Sequence, residues 1–173
     1  MTISLVRIDD RLIHGQVAFG WTTSLGVNTI LVVNDEAKND PMKSMALNLA
    51  KPSNVVLYIR GVMESGEIVQ KFATSKKSNV LVLIKTNTLL FNVLVLIKNT
   101  EDARKLIEHS GGVIDSLNIG GLRYEEGKNK ITDLIAVDEQ DIENLKSIQE
   151  KGVSIEFRML PRDKKKLFSD FSF

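Results

Sequence analysis

Seven residues, VNTILVV at positions 27–33, constrain this chain more than any others. The run is nearly all apolar, as expected of a strand covered on both of its faces. Similar runs recur: TISLVRI at 2–8, NVVLYIR at 54–60, VIDSLNI at 113–119, TDLIAV at 132–137 and VSIEFRM at 153–159. Between them lie stretches long enough for helices. One spans residues 15–25 and ends at Gly26. Asp40 followed by Pro41 is a cap with proline in the first turn, opening a helix to about Lys51. Val62, Met63, Ile68, Val69 and Phe72 give a further helix its apolar side. Thr100 with Glu101 and Asp102 opens a helix to about His109; Asp138 with Asp141 caps another to Glu150, ended at Gly152. This alternation predicts an α/β fold: an open, mostly parallel sheet with helices on both faces and an antiparallel edge strand. RYEEGKNKIT (123–132) reads as a hairpin connection, and Pro161 as the start of a basic final helix or tail.

The 173 residues suit one domain, 1–173, with a full core. NVLVLIK occurs at 79–85 and again at 92–98, an offset of 13 residues. That period is too short for a solenoid unit. It reads as a tandem duplication within 79–104, with one copy in the sheet and the other an insertion. Composition removes several function classes. Charges nearly cancel, 23 basic against 22 acidic, so no bulk field points to nucleic acid. The absence of cysteine excludes disulfides, thiolate metal sites and cysteine nucleophiles. The short apolar start MTISLV meets charges at once, and no run approaches the ~18–20 apolar residues of a membrane helix. A cytoplasmic protein without a signal peptide is the expectation.

The chemistry concentrates in RIDDRLIHGQV, residues 7–17. Sites in open parallel sheets form outside the carboxyl ends of the strands, and His14 lies there, after the first strand and at the start of the first helix. A helix N-terminus offers free N–H groups and partial positive charge, so it favours an anion and disfavours imidazolium. A neutral imidazole is a nucleophile, and those donors would hold a phosphoryl group arriving on it. Gly15 and Gln16 begin the helix, and Gly15 lets backbone approach closely. Arg11 offers a planar fork to phosphoryl oxygens. Asp9 or Asp10 can accept a hydrogen bond from one ring nitrogen; Asp10 is the candidate orienter of His14. The plainer reading makes Asp10 an N-cap and Arg11 its ion-pair partner.

The segment resembles the active-site segment of the mannose/fructose/sorbose-family enzyme IIB subunits of the bacterial phosphoenolpyruvate-dependent sugar phosphotransferase system. The resemblance extends through Trp21, VVNDE (32–36), LNIGGL (117–122), ITDLIAVDEQDI (131–142) and KGVSIEFRMLP (151–161). It implies that His14 accepts a phosphoryl group, on its δ nitrogen, from a phosphohistidine of a IIA domain. The group then passes to a sugar carried by the membrane IIC and IID subunits, with Arg11 stabilising charge. It implies no metal and no organic cofactor, and a cytoplasmic protein associated peripherally with the membrane through the permease. The duplicated NVLVLIK departs from the family pattern.

Other candidates carry two readings. Asn118, Gly120 and Gly121, in NIGG, either line the His14 pocket or make a tight turn. Asn34 and Asp35 either enter the pocket, touching phosphate or sugar, or cap the next segment. His109 suits a helix end and no catalysis is expected of it; Trp21 reads as core or docking packing, and RDKKK (162–166) as a solvated helix face. The competing functions are a non-catalytic anion- or nucleotide-binding module and an inactive relative disabled by the duplication.

Overall fold

The structure is a computed structural model, and it describes residues 2–74 and 92–171. Seven strands form one sheet: β1 (Thr2–Asp9), β2 (Thr29–Val33), β3 (Val56–Arg60), β4 (Asn92–Ile97), β5 (Ser116–Gly121), β8 (Ser154–Phe157) and β9 (Lys166–Leu167). Their order is β3-β2-β4-β1-β5-β8-β9. Every pairing is parallel except β8 with the short edge strand β9. A separate antiparallel pair joins β6 (Asn129–Thr132) to β7 (Ile135–Val137). The expected architecture is the observed one, antiparallel edge included.

The helices are α1 (Gly15–Ser24), α2 (Asp35–Asn39), α3 (Pro41–Ala50), α4 (Val62–Thr74), α5 (Thr100–His109) and α6 (Glu139–Glu150). Two cores occupy the two faces. Leu12, Ile13, Ala18, Trp21, Ala37 and Leu47 pack with Leu94 and Leu96 on the α1–α3 side. Val62, Val69, Leu106 and Leu145 pack with Val93, Val95 and Ile97 on the other. β2 and β4 are buried on both faces, which is why their sequences are apolar at successive positions.

The NVLVLIK copy at 92–98 supplies β4, between β2 and β1. The copy at 79–85 lies outside the described residues.

Several local expectations are corrected. Asn34 caps a five-residue helix, α2, that the sequence reading did not separate from the approach to α3; its side chain accepts from the Ala37 N–H at 2.8 Å. α5 opens at Thr100 as expected, and its capping side chain is that of Asn99, which accepts from the Asp102 N–H while the buried Thr100 hydroxyl donates to Asp141. The run after Pro161 is not a helix until the single 3₁₀ turn Phe168–Asp170. Arg162–Lys165 form an exposed connection, and Lys166 enters β9.

Candidate active site

The loop between β1 and α1 is pinned from below. Leu12 and Ile13 are buried beneath it, and the Leu12 N–H donates to the Asp9 carbonyl at 2.9 Å. Leu12 has φ +56°, a left-handed backbone that a non-glycine residue adopts only at a cost of about 1–3 kcal/mol. Burial of the two aliphatic side chains offsets it. Beyond them His14 takes the N-cap position of α1 in extended conformation, but its side chain caps nothing. The first turn of α1 therefore keeps backbone N–H groups available, with no acidic residue in it. A β-carbon on Gly15 would meet nothing within 4 Å, so the space above the helix start is open.

The imidazole turns back to β1. His14 Nε2 lies 3.2 Å from both carboxylate oxygens of Asp9 and is 23% exposed, whereas Asp9 is wholly buried. Among the described residues Nδ1 has no hydrogen-bond partner. Asp9 Oδ1 also accepts from the Arg11 N–H at 3.2 Å, and Oδ2 from Arg7 Nη2 at 2.9 Å. Burial pushes the Asp9 carboxyl up, but the hydrogen bond to His14 and the Arg7 charge outweigh it and hold the group below the usual carboxylate value. For Arg7 burial dominates and lowers the guanidinium from its ordinary value, with Asp9 opposing. A guanidinium does not deprotonate in a protein, so the pair stays charged.

Strand alternation explains how Arg7 comes to be there. Val6 and Ile8 face the α4–α6 core, so Arg7 and Asp9 share the opposite face of β1, under α1. Arg7 pairs in register with Asn118 on β5, and Asn118 with Glu156 on β8, making a polar row across three strands. Arg7 Nη1 donates to Asn118 Oδ1 and, at 3.0 Å, to the Arg158 carbonyl. Asn118 Nδ2 donates to Glu156 at 3.0 Å, and Arg158 Nη2 pairs with the same carboxylate. Trp21 on α1 lies against both guanidiniums, 5.6 Å from Arg7 Cζ and 4.9 Å from Arg158 Cζ to the ring centroid. Its indole N–H donates to the Met159 carbonyl. Room for Arg7 comes from a bulge: the β1–β5 register jumps past Gly120, where a β-carbon would sit 1.7 Å from Arg7 Cζ.

The description "PTS system sorbose subfamily IIB component" fits residues 3–172, nearly the whole chain. The chain belongs to this family. It is 34% identical over 166 residues, 95% of its length, to a protein named PTS system mannose-specific EIIAB component in Escherichia coli K12. It spans 46% of that longer relative, about half. Against the fructose-specific EIIB component of Bacillus subtilis 168 it is 32% identical, covering 94% of this chain and 91% of the relative. The solved IIBSor domain of the sorbose permease from Klebsiella pneumoniae superposes with a TM-score of 0.80 at 27% identity, over 96% and 93% of the two chains.

Within this IIB chain the sequence candidates separate. His14, Arg11, Gly15 and the backbone of Gln16 come together at the start of α1. The carboxylate on the His14 ring is that of Asp9, not the expected Asp10. Asp10 follows the end of β1, in the turn, and it faces Arg11 at 3.9 Å and Arg123 at 3.4 Å. Asn118 does not line an open pocket; it is buried and committed to Arg7, Glu156 and the Arg158 carbonyl. Gly120 and Gly121 are strand residues, not a turn. Gly120 makes way for Arg7, and the Gly121 carbonyl accepts from the Asp10 N–H at 3.1 Å.

Asn34 and Asp35 follow β2, which β4 separates from β1, a lateral offset of roughly 10 Å. Asn34 caps α2, and Asp35 Oδ1 accepts from the Val62 N–H at 3.2 Å. Neither is brought to His14 by these contacts. A cavity of about 230 Å³ between the Thr132–Ile135 turn and Arg158–Met159 reaches Gly120 but does not include His14 in its lining. Sequence reasoning passed over Arg7 as a site residue. The signal was the alternation Val6-Arg7-Ile8-Asp9, which puts two opposite charges on one face of a strand whose other face is apolar.

Proposed function

We propose that this chain is a phosphocarrier: His14 accepts a phosphoryl group from a phosphohistidine on a IIA domain and delivers it to a sugar during uptake through membrane IIC and IID subunits. The observation that carries the reading is the Asp9 carboxylate on His14 Nε2, an acceptor that favours a proton there, with no hydrogen-bond partner for Nδ1 among the described residues. In the first transfer Nδ1 attacks phosphorus; a new N–P bond forms as the donor's N–P bond breaks, and the donor imidazole keeps the bonding pair. The phosphorylated ring is then cationic at Nε2–H, opposite the buried Asp9 charge. Arg11 and the free N–H groups of α1 face the phosphoryl oxygens. In the second transfer a sugar hydroxyl attacks phosphorus; an O–P bond forms as the N–P bond breaks, its pair returns to Nδ1, and the hydroxyl proton passes to solvent. No step requires a metal or an organic cofactor; positioning and charge stabilisation suffice.

An exposed loop, 23% open at His14, suits successive docking of two protein partners through small transient interfaces. Among the described residues no helix is long and apolar enough to cross a membrane, so association with its inner face would run through the permease. The repeat is read as a 13-residue tandem duplication within one IIB domain. The relatives are named for mannose, fructose and sorbose, so the substrate class is a sugar and the individual sugar is left to the permease.

The test is intact mass after incubation with phosphoenolpyruvate, enzyme I, HPr and a matching IIA. A single acid-labile phosphoryl adduct is expected on the parent and none on His14→Ala. A folded parent that stays unmodified, while the same IIA charges another IIB, rejects the reading.

A further inference from the structure

We propose that Arg7 is a positioning residue for the phosphoryl site: through Asp9, its buried guanidinium fixes which nitrogen of His14 carries the proton and which is left to react. This assignment rests on the phosphocarrier reading for what His14 does. Arg7 cannot touch a phosphoryl group itself. It is fully buried, with Nη1 on Asn118 and the Arg158 carbonyl and Nη2 on Asp9.

A charge in such a place is not explained by stability. Replacing a buried ion pair by well-packed apolar residues is often neutral or stabilising. Here the fold also gives up a side chain at Gly120, bulges β5 and lays an indole beside the guanidinium to seat it. What the arrangement delivers is a carboxylate that cannot turn. Asp9 Oδ2 is held by Arg7 and Oδ1 by the Arg11 N–H, and both oxygens stand 3.2 Å from Nε2. Without Arg7 one anchor is gone, and the buried carboxylate is free to swing or to take up a proton. The other charged groups around the loop are Arg11, Asp10, Arg123 and, beneath it, Arg158. Arg11 and Asp10 are partly exposed, Arg123 largely so, and Arg158 is committed to Glu156, so none replaces the buried anchor.

The experiment reads the imidazole directly. Nitrogen-15 spectra of His14 in the unphosphorylated protein report the neutral tautomer for wild type, Arg7→Met, Arg7→Lys, Asp9→Asn and the Arg7→Met/Asp9→Asn double variant. Phosphotransfer from IIA is timed on the same samples. Wild type is expected to hold its proton on Nε2. Arg7→Met is expected to give mixed tautomers and transfer slowed about 10- to 100-fold, the loss typical of an outer partner that orients a reacting imidazole. Arg7→Lys restores one donor to Asp9 but not the full fork, and recovers part of the rate.

Because Arg7 acts through Asp9, the double variant is expected to be no slower than Asp9→Asn alone. An unchanged Nε2–H tautomer in folded Arg7→Met, or losses that multiply in the double variant, overturns the assignment. Should Arg7→Met fail to fold, the double variant, which buries no unpaired carboxylate, decides against Asp9→Asn. Fluorescence of Trp21, the single tryptophan, reports whether the guanidinium has left its seat. A wild type that accepts no phosphoryl group rejects the phosphocarrier reading and leaves the tautomer result standing.

Discussion

At Gly120 one missing methyl group holds the site together. An alanine there would place its β-carbon 1.7–1.9 Å from three guanidinium atoms of Arg7, none of which can withdraw without abandoning Asp9, Asn118 or the Arg158 carbonyl. Gly120→Ala is expected to cost about 3 kcal/mol in urea unfolding, the upper part of the range for overpacking, and to shift Trp21 emission. The same substitution at Gly15 meets open space, so Gly15→Ala is expected to leave stability nearly unchanged. Leu12 poses the opposite problem. Its left-handed backbone would suit glycine, yet its buried side chain anchors the loop. Leu12→Ala is expected to lose about 2–5 kcal/mol by differential scanning calorimetry, with slower phosphotransfer as the loop loosens. These residue-scale facts were half legible. RIDDRLIHGQV puts His14 and Arg11 forward as candidates. It could not say which aspartate faces the ring, because that depends on where β1 ends and whether the next residue keeps the strand's alternation.

Among the elements, β4 separates what the sequence reveals from what it hides. The identical NVLVLIK runs promise one buried strand, and the apolar character of β4 follows from its place between β2 and β1. Nothing in seven identical residues chooses between the copies; the choice lies in their connections. The copy at 92–98 leaves only Lys98 and Asn99 before α5, and Asn99 is the cap that α5 uses. Deleting 79–91 would leave a four-residue connection, 75–78, between α4 and β4, well within the usual length for helix-to-strand loops. That variant is expected to keep the native circular dichroism spectrum and a similar unfolding temperature. A collapse of the spectrum would mean that the inserted residues are part of the packing. The missed helix α2 teaches a related lesson. Five residues are too few for a periodic signal, and only the Asn34 cap marks its start. Of the final helix or tail expected after Pro161, the helix does not form, because charge density alone, in RDKKK, supplies no apolar stripe to bury, and the chain passes instead into the edge strand β9.

For the molecule as a whole, acid is the condition that reports on these contacts together. Glu36 is brought down to about 2 by hydrogen bonds from Lys43 and then Lys98. Glu64, Glu101 and Asp138 are also held low, first by the Gly61 N–H, by Lys105 and by the Asp141 N–H respectively. A carboxylate whose folded value is depressed adds stability above its unfolded value, about 4, and that stability is lost as pH falls through the folded value. Urea midpoints are therefore expected to be level near neutrality and to fall steadily between about pH 4.5 and 2, with Glu36→Gln flattening part of the slope. Asp102 works against the trend, since burial first and then the nearby Asp35 raise it. Sheet polarity has one more consequence. β1 and β4 run parallel, so Asn92, which opens the second NVLVLIK copy, lies at the end of the sheet opposite His14. Any change of length between Thr74 and Asn92 therefore falls at one rim of the sheet, with the candidate site on the other.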